Sequence, residues 1–140
     1  MRGRWRTALL AAGALAALAA GCGAEDFPND PRPPAPIELT ARIGDEKVVV
    51  SPTQTQSGEP IGAGLANVTI SNQTGDDVRL EFTGPADETT DPVIANGVLE
   101  FKIDLEEGVY TVSAEDPRID STEFDVGPER PSAQNDLLLP

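Results

Sequence analysis

From Ile37 onward, apolar residues recur at every second position, and this alternation restricts the chain more than any other feature. A period of two turns one face of each segment inward and the other outward, which is typical of half-buried antiparallel β-strands. No stretch after residue 22 keeps the 3.6-residue period of an amphipathic helix. The pattern predicts an all-β sandwich of about seven short strands. The alternating residues are Ile37, Leu39, Ala41, Ile43, Val48, Val50, Ala66, Val68, Ile70, Val78, Leu80, Phe82, Leu99, Phe101, Ile103, Leu105, Tyr110, Val112, Ala114, Phe124 and Val126.

The connections between these segments carry turn signals. Residues 51–64 are rich in Ser, Thr, Gln, Gly and Pro, so they are expected to be irregular or edge structure. Residues 83–97 hold two prolines and an Asn-Gly pair and are expected to be a long connection. Between Leu105 and Tyr110, Gly108 permits a tight turn. This segment resembles the tyrosine corner of Greek-key sandwiches, in which the tyrosine hydroxyl bonds to nearby backbone. We therefore expect Leu105 and Tyr110 to contribute to folding and not to activity.

The N-terminal residues have the pattern of an export signal. Arg2, Arg4 and Arg6 precede residues 7–20, which carry no charge. As a helix, those residues would span about 21 Å at about 1.5 Å per residue. A bilayer core needs about 20 apolar residues, so this run suits the apolar region of a signal peptide better than a transmembrane helix.

Cys22, the only cysteine in the chain, follows this run directly. The stretch Leu18-Ala19-Ala20-Gly21-Cys22 resembles the lipobox of bacterial lipoproteins. The resemblance implies cleavage before Cys22 and a diacylglyceryl group on its thiol, and it implies an extracytoplasmic protein anchored in the cell membrane, or in an outer membrane where the cell has one. The alternatives are a plain secretory signal that leaves a free thiol and an uncleaved anchor helix.

Five of the fourteen residues in 23–36 are prolines, and proline removes backbone donors and favours an extended chain. These residues are predicted to form a tether of up to roughly 40 Å at about 3.1 Å per residue. The expected organisation is a signal peptide (residues 1–21), the lipidated cysteine and tether (22–36), the β-sandwich (37–126) and an irregular tail (127–140). Leu137, Leu138 and Leu139 in that tail are expected to cover an edge or opening of the sandwich, or else to bind a partner or fray.

The composition excludes several function classes. Residues 22–140 contain 7 basic and 24 acidic side chains, a formal charge of −17, which disfavours nucleic acid and anionic lipid headgroups as partners. Histidine is absent, so the commonest general base and metal ligand is missing. The adjacent acids at Asp76-Asp77, Asp87-Glu88, Glu106-Glu107 and Glu115-Asp116 lack the spacing of a calcium loop. We expect no enzyme, no catalytic residue, no metal site and no cofactor.

Three stretches together resemble a cupredoxin domain: Ile61 to Ser71 with Asn72 at its end, Ala95-Asn96-Gly97 before the strand that ends at Leu105, and Gly108-Val109-Tyr110. The resemblance implies a Greek-key sandwich, with an immunoglobulin-like or transthyretin-like topology as the alternative. The family's copper ligands would fall near Asp77 or Val78 and at Ser113 or Ala114, where no imidazole or thiol stands. A blue copper site is therefore not expected, although the fold can persist without it.

Two functions follow from these expectations. The first is a monomeric, lipid-anchored, non-catalytic binding module that contacts an unidentified protein or envelope ligand. The alternative is a domain descended from cupredoxins that handles a small ligand or a metal.

We predict that Cys22 is the first residue of the mature chain and carries lipid, because acylation of this thiol is what the lipobox resemblance implies. Two acyl chains give stable membrane anchoring, where a single chain gives only reversible binding. Mass spectrometry of the membrane fraction should find the N-terminal peptide with a lipidated cysteine. Unmodified protein in the medium, in amounts unchanged by Cys22→Ser, would contradict this.

Overall fold

The computed structural model describes residues 32–132, and within that range the chain forms eight β-strands and no helix. The all-β prediction is confirmed, and no segment of this range is a helix able to cross a membrane. The expected signal peptide, Cys22, the first part of the expected tether and residues 133–140 lie outside the described residues. The strands are β1 (Ile37–Ile43), β2 (Val48–Ser51), β3 (Ile61–Asn72), β4 (Leu80–Thr83), β5 (Glu88–Thr89), β6 (Val98–Leu105), β7 (Gly108–Ala114) and β8 (Thr122–Glu129).

Strand β3 joins the two halves of the fold. Its residues 66–72 pair in parallel with β1, and its residues 64–71 pair antiparallel with β6. With β2 antiparallel to β1, these strands form a first sheet in the order β2-β1-β3-β6. Residues 61–63 pair in parallel with β8, which leads into a second sheet in the order β8-β7-β4-β5. One strand thus belongs to both sheets.

The change of partner along β3 takes place around Gly62 and Gly64. The ladder with β8 shifts register after Gly62, as at a β-bulge. Gly64 has a φ of +128°, which residues with a side chain rarely adopt. The side chain of Arg130 lies against both glycines, and a Cβ at Gly64 would stand 2.7 Å from its Nη2. Gly64 therefore requires glycine for its backbone conformation, and both positions require it because the Arg130 side chain leaves little room for a Cβ.

Arg130 fills the gap on β3 between the end of β8 and the start of β1. Its guanidinium donates hydrogen bonds to the main-chain carbonyls of Ala63, at 3.2 Å, and Leu65, at 2.9 Å, and to that of Ala35 just before β1. Partial burial lowers the pKa of Arg130 from its ordinary value, but an arginine remains charged at neutral pH. One side chain thus supplies donors to β3 carbonyls at the point where the strand changes its partner from β8 to β1.

The inward faces of both sheets form one apolar core, as the alternation predicted. Two aromatic pairs stack within it, Phe82 with Phe101 at 5.6 Å and Tyr110 with Phe124 at 5.8 Å between ring centroids. Burying each large apolar side chain contributes about 1.5–3 kcal/mol. The largest fully buried apolar side chains are Tyr110, Phe82, Leu39, Ile43, Ile70, Leu80, Leu105, Val48, Val68, Val93 and Val112.

Several strand limits differ from those that the alternation indicates. Strand β3 begins already at Ile61, within the stretch expected to be irregular, because β8 supplies a distant partner. Val78 lies outside β4 and forms an isolated bridge with Val93, and β5 is an additional two-residue strand. Strand β8 runs to Glu129, beyond Val126. Pro128 is tolerated there because the register shift leaves it without a ladder partner.

The turn between β6 and β7 has the features of a tyrosine corner. Tyr110 is fully buried, and its hydroxyl accepts a hydrogen bond of 3.0 Å from the main-chain N–H of Glu106. Gly108 has a φ of +146° and packs against the ring of Pro85. Leu105 beside it is only 2 % exposed. The hydrogen bond to the Tyr110 hydroxyl therefore stabilises the turn that connects the two sheets.

We predict that Tyr110→Phe lowers the free energy of unfolding by about 0.5–1.5 kcal/mol, because the Glu106 N–H loses its acceptor. Urea denaturation of the full chain, followed by circular dichroism, measures this. Ser57→Ala removes an exposed hydroxyl bond to Thr55 and serves as the control, with an expected change within about 0.5 kcal/mol. Equal effects of the two changes would show that the corner bond does not stabilise the fold.

Candidate interaction surface

The residues that resemble a lipobox lie outside the described residues, so the structure does not report on Leu18, Ala19, Ala20, Gly21 or Cys22. It does describe the positions that the cupredoxin resemblance assigned to copper ligands. Those positions occupy neighbouring strands and the segments that flank them, at one end of the fold.

None of these positions carries a strong copper donor. Val78 is buried, and Asp77 beside it is exposed. Ala114 on β7 pairs with Leu80, two residues beyond Val78, and Ser113 precedes it. Within residues 32–132, no three His, Cys, Asp or Glu side chains lie close enough together to hold a metal ion.

A buried polar cluster at the same end is centred on Asn72, the last residue of β3. Asn72 is 1 % exposed, and its Nδ2 donates to the carbonyls of Asp76 at 2.8 Å and Val93 at 2.9 Å, with Ile94 O at 3.2 Å. Its Oδ1 accepts from the main-chain N–H of Thr74 at 2.9 Å and lies 2.8 Å from the Thr74 hydroxyl. Both ends of the amide are therefore satisfied, as a buried polar group requires.

This cluster holds the turn of residues 94–97, which leads into β6. The main-chain N–H of Asn72 donates to Gly97 O at 2.9 Å, and Gly97 N–H donates to Ile94 O at 2.9 Å. Asp77 Oδ1 accepts from Ala95 N–H at 2.9 Å. Asn96 takes a left-handed φ of +54°, which asparagine tolerates better than most residues. The turn is thus fixed from several directions by groups of β3 and of the loop that follows it.

The turn presents two exposed apolar side chains. Ile94 is 63 % exposed and Val98 is 65 % exposed, which makes them the most exposed large apolar residues of the described chain. The Ile94 side chain folds over Gly97, where an added Cβ would collide with its Cγ1. Val98 is the first residue of β6, directly after this turn. We call Ile94 and Val98 the apolar tip.

The surroundings of the apolar tip are acidic. Asp76 and Asp77 belong to the loop that bonds to the turn. Residues 32–132 carry 20 acidic and 7 basic side chains, a formal charge of −13, so little positive charge offsets them. The side chain of Arg118 is 80 % exposed, and its guanidinium forms an ion pair with Asp116, with 2.6 Å between Nη2 and Oδ2. These hydrogen bonds from Arg118 lower the pKa of Asp116 to about 2.

The described surface contains shallow depressions. One of about 250 Å³ lies beside the Asn72 cluster and is lined by Asp45, Asp76 and Asp116 among others. Another, of about 260 Å³, lies on the outer face of the first sheet between Glu38, Asn67 and Lys102. A further one, of about 360 Å³, lies at the opposite end, beside Glu106 and Glu107. Each is open, and its lining is about half polar or more, so none of them offers the enclosed apolar lining of a small-molecule site.

The sequence contains a signal for the buried Asn72 cluster, although the alternation of apolar residues does not by itself explain it. Asn72 has the same parity as Val68 and Ile70, so a polar side chain continues an inward-facing apolar row. The cupredoxin resemblance identified Asn72 only as the end of a strand. Its bonds to Val93 and Ile94, about twenty residues away in the chain, depend on tertiary structure.

No family model matches this chain, and no curated protein is significantly similar to it.

We predict that Asn72→Ala lowers the free energy of unfolding by about 2 kcal/mol or more, because buried carbonyls and an N–H lose their partners at about 1–3 kcal/mol each. Urea denaturation of the full chain measures this. Asn67→Ala is the matched control on the same strand. Its side chain donates one exposed bond to Glu38, and its buried Oδ1 has no partner, so the expected change is about 0.5 kcal/mol or less. Equal losses in the two variants would contradict the role of Asn72.

Proposed function

We propose that this protein is a lipid-anchored protein of the bacterial cell envelope, whose β-sandwich is a non-catalytic module that binds a protein partner outside the cytoplasm. The lipobox resemblance at Cys22 and the proline-rich tether support the anchoring. The observation that carries the binding function is the exposed Ile94 on a turn held by a buried amide. A chain gains nothing in folding from an apolar side chain left in water, whereas a partner can bury it.

The acidic surroundings define the chemistry of the partner. Asp76 and Asp77 stand next to the turn, so a complementary surface would place an apolar side chain against Ile94 and lysine or arginine around it. Burial of one isoleucine contributes about 1.5–3 kcal/mol, and charge pairing adds mainly to the rate of association. A surface of charge −13 repels nucleic acid, and a protein with lysine or arginine around an apolar side chain is the class of partner that fits it.

We also propose that the sandwich is of the cupredoxin type without its copper site. Three features support this: the Asn72 that closes β3, the turn of residues 94–97 before β6, and the tyrosine corner at Tyr110. A domain that handles metals remains the alternative proposal. It would need donors at the ligand positions of that family, where Val78 and Ala114 are apolar.

We predict that Ile94→Asp reduces binding of the partner at least tenfold, because it puts a carboxylate where an apolar contact is expected; tenfold corresponds to about 1.4 kcal/mol. The measurement is quantitative co-purification from cross-linked membranes of the source cell, using the tagged full chain. Val109→Asp is the matched control, since Val109 is 48 % exposed and lies at the start of β7, away from the tip.

The proteins recovered with the wild type and with Val109→Asp should be the same, and recovery should fall with added salt because the acidic surface contributes. Recovery that is equal for Ile94→Asp and Val109→Asp, with both variants folded, would contradict the proposal, as would the absence of any common partner.

A further inference from the structure

Strand β6 has one edge that no other strand of residues 32–132 covers. It pairs with β3 through eight successive residues, Gly64↔Leu105 to Ser71↔Val98, without a bulge. It contains no proline and no glycine. By contrast, the edge strand β5 has only two residues, and β2 is bridged at its start, where Val48 N–H bonds to Asp120 O. Long regular edges of this kind are templates for pairing with another strand.

The hydrogen bond between Asn72 N–H and Gly97 O determines which groups of β6 point outward. In an antiparallel ladder, the N–H and C=O of one residue point to the same side, and the side alternates along the strand. Because Gly97 faces β3, residues 99, 101 and 103 also face β3. The main-chain groups of Val98, Glu100, Lys102 and Asp104 therefore point to the open edge.

The side chains of these same four residues are exposed on the outer face, and their charges select a partner. If Phe101 faces Phe101 of a second copy across a two-fold axis, residues 98–104 of both strands pair. Glu100 then lies opposite Lys102 of the second copy, and Lys102 lies opposite its Glu100. Opposite charges directly across a ladder stabilise it. The edge is thus complementary to itself, as a symmetric dimer requires.

The neighbouring registers are less favourable. A two-fold axis at Lys102 pairs equally many residues, but it sets Lys102 against Lys102 and Glu100 against Asp104. An axis at Glu100 sets Glu100 against itself. An axis at Ile103 does set Lys102 against Asp104, but it pairs only residues 101–105 of the strand and brings Glu100 opposite Glu106. Like charges directly opposite are destabilising, so the register centred on Phe101 is preferred.

The inward side of β6 fits the same register. Leu99 and Phe101 are only partly buried, although they pack on the core. Phe101 is held from within by its stacking on Phe82. In the two-fold arrangement, Phe101 meets its counterpart at a pair without mutual hydrogen bonds, where side chains approach most closely, and Leu99 meets Ile103 of the second copy. Pairing would therefore cover apolar surface that the single chain leaves open.

We propose that β6 pairs antiparallel with β6 of a second copy of this chain, about a two-fold axis at Phe101, to form a continuous sheet across a homodimer. This replaces the monomer expected from the sequence. The proposal does not depend on the partner proposed above, because Ile94 lies outside the paired residues, although Val98 of the apolar tip is one of them. The charge of −13 on each copy opposes association, so we expect a weak dimer. Anchoring of both copies in one membrane would raise their effective concentration and favour it.

Disulfide cross-linking of the full chain in its membrane tests the register. Val98→Cys in one tagged copy and Asp104→Cys in a second, differently tagged copy are directly opposite in this arrangement. Their Cα atoms would be about 5.5 Å apart, within disulfide range. We expect a disulfide between the two tags at least fivefold above two controls. These are the parent chain with Cys22 alone and the pair Glu81→Cys with Glu123→Cys, which are exposed residues of the second sheet.

Charge exchange then tests the pairing itself. Lys102→Glu in both copies should reduce the Val98–Asp104 cross-link at least fivefold, and Glu100→Lys combined with Lys102→Glu should restore it. Arg79→Glu, an exposed position outside the first sheet, changes the net charge equally and should have little effect. Unchanged melting temperatures would show that the variants remain folded.

Three results would overturn the proposal: a cross-link no stronger than the controls, a cross-link insensitive to Lys102→Glu, or a failure of the double exchange to restore it. Cross-linking of Val98→Cys to a different protein, with no homodimer, would also overturn it and would assign the edge to another partner.

Discussion

The fold depends on one strand that changes partners along its length. Strand β3 gives its first residues to β8 and the rest to β1 and β6, so it is the main covalent and hydrogen-bonded link between the sheets. Residues 32–132 contain no cysteine with which to form a disulfide. At the change of partner, Arg130 takes the place of a missing strand by donating to the carbonyls of Ala63 and Leu65. Gly62 and Gly64 leave the space that the Arg130 side chain occupies.

The opposite end of β3 shows how a buried polar group shapes a surface. Asn67 and Asn72 belong to the same strand but face opposite sides of the sheet, and only Asn72 has all of its bonding capacity engaged. Burial makes those bonds costly to break, because the freed carbonyls could not be solvated without opening the core. The buried Asn72 thus holds the turn that carries Ile94, one of the two most exposed large apolar residues of the described chain. A surface that is exposed and yet fixed loses little conformational entropy on binding.

The two surfaces proposed for binding are the edge of β6 and the apolar tip at the turn before it, and they differ in chemistry. The apolar tip at Ile94 is an apolar contact with acidic surroundings, which suits a partner of opposite charge. The edge of β6 offers unpaired main-chain groups and alternating charges, which suit an identical strand. The two surfaces share Val98, the first residue of β6, whereas Ile94 lies before the paired residues.

The local patterns of the sequence determined the secondary structure of most of the chain. Alternation predicted the inward residues of nearly every strand, since the side-chain period of a β-strand is a property of the chain itself. The tyrosine corner was also predictable, because Leu105, Gly108 and Tyr110 act within a few residues of one another. The same applies to the proposed lipid anchor, where a short contiguous motif at Cys22 carries the prediction.

Features that depend on distant partners were decided only by the tertiary structure. Strand β3 starts at Ile61 because β8 lies alongside it, and Val78 leaves β4 to pair with Val93. Arg130 is an ordinary charged residue in the sequence and becomes a structural one only where two other strands end. Alternation indicates which face of β6 is buried but not whether its edge is paired. Hydrogen bonds between strands join residues far apart in the chain, so the open edge of β6 became visible only when all its possible neighbours had been placed.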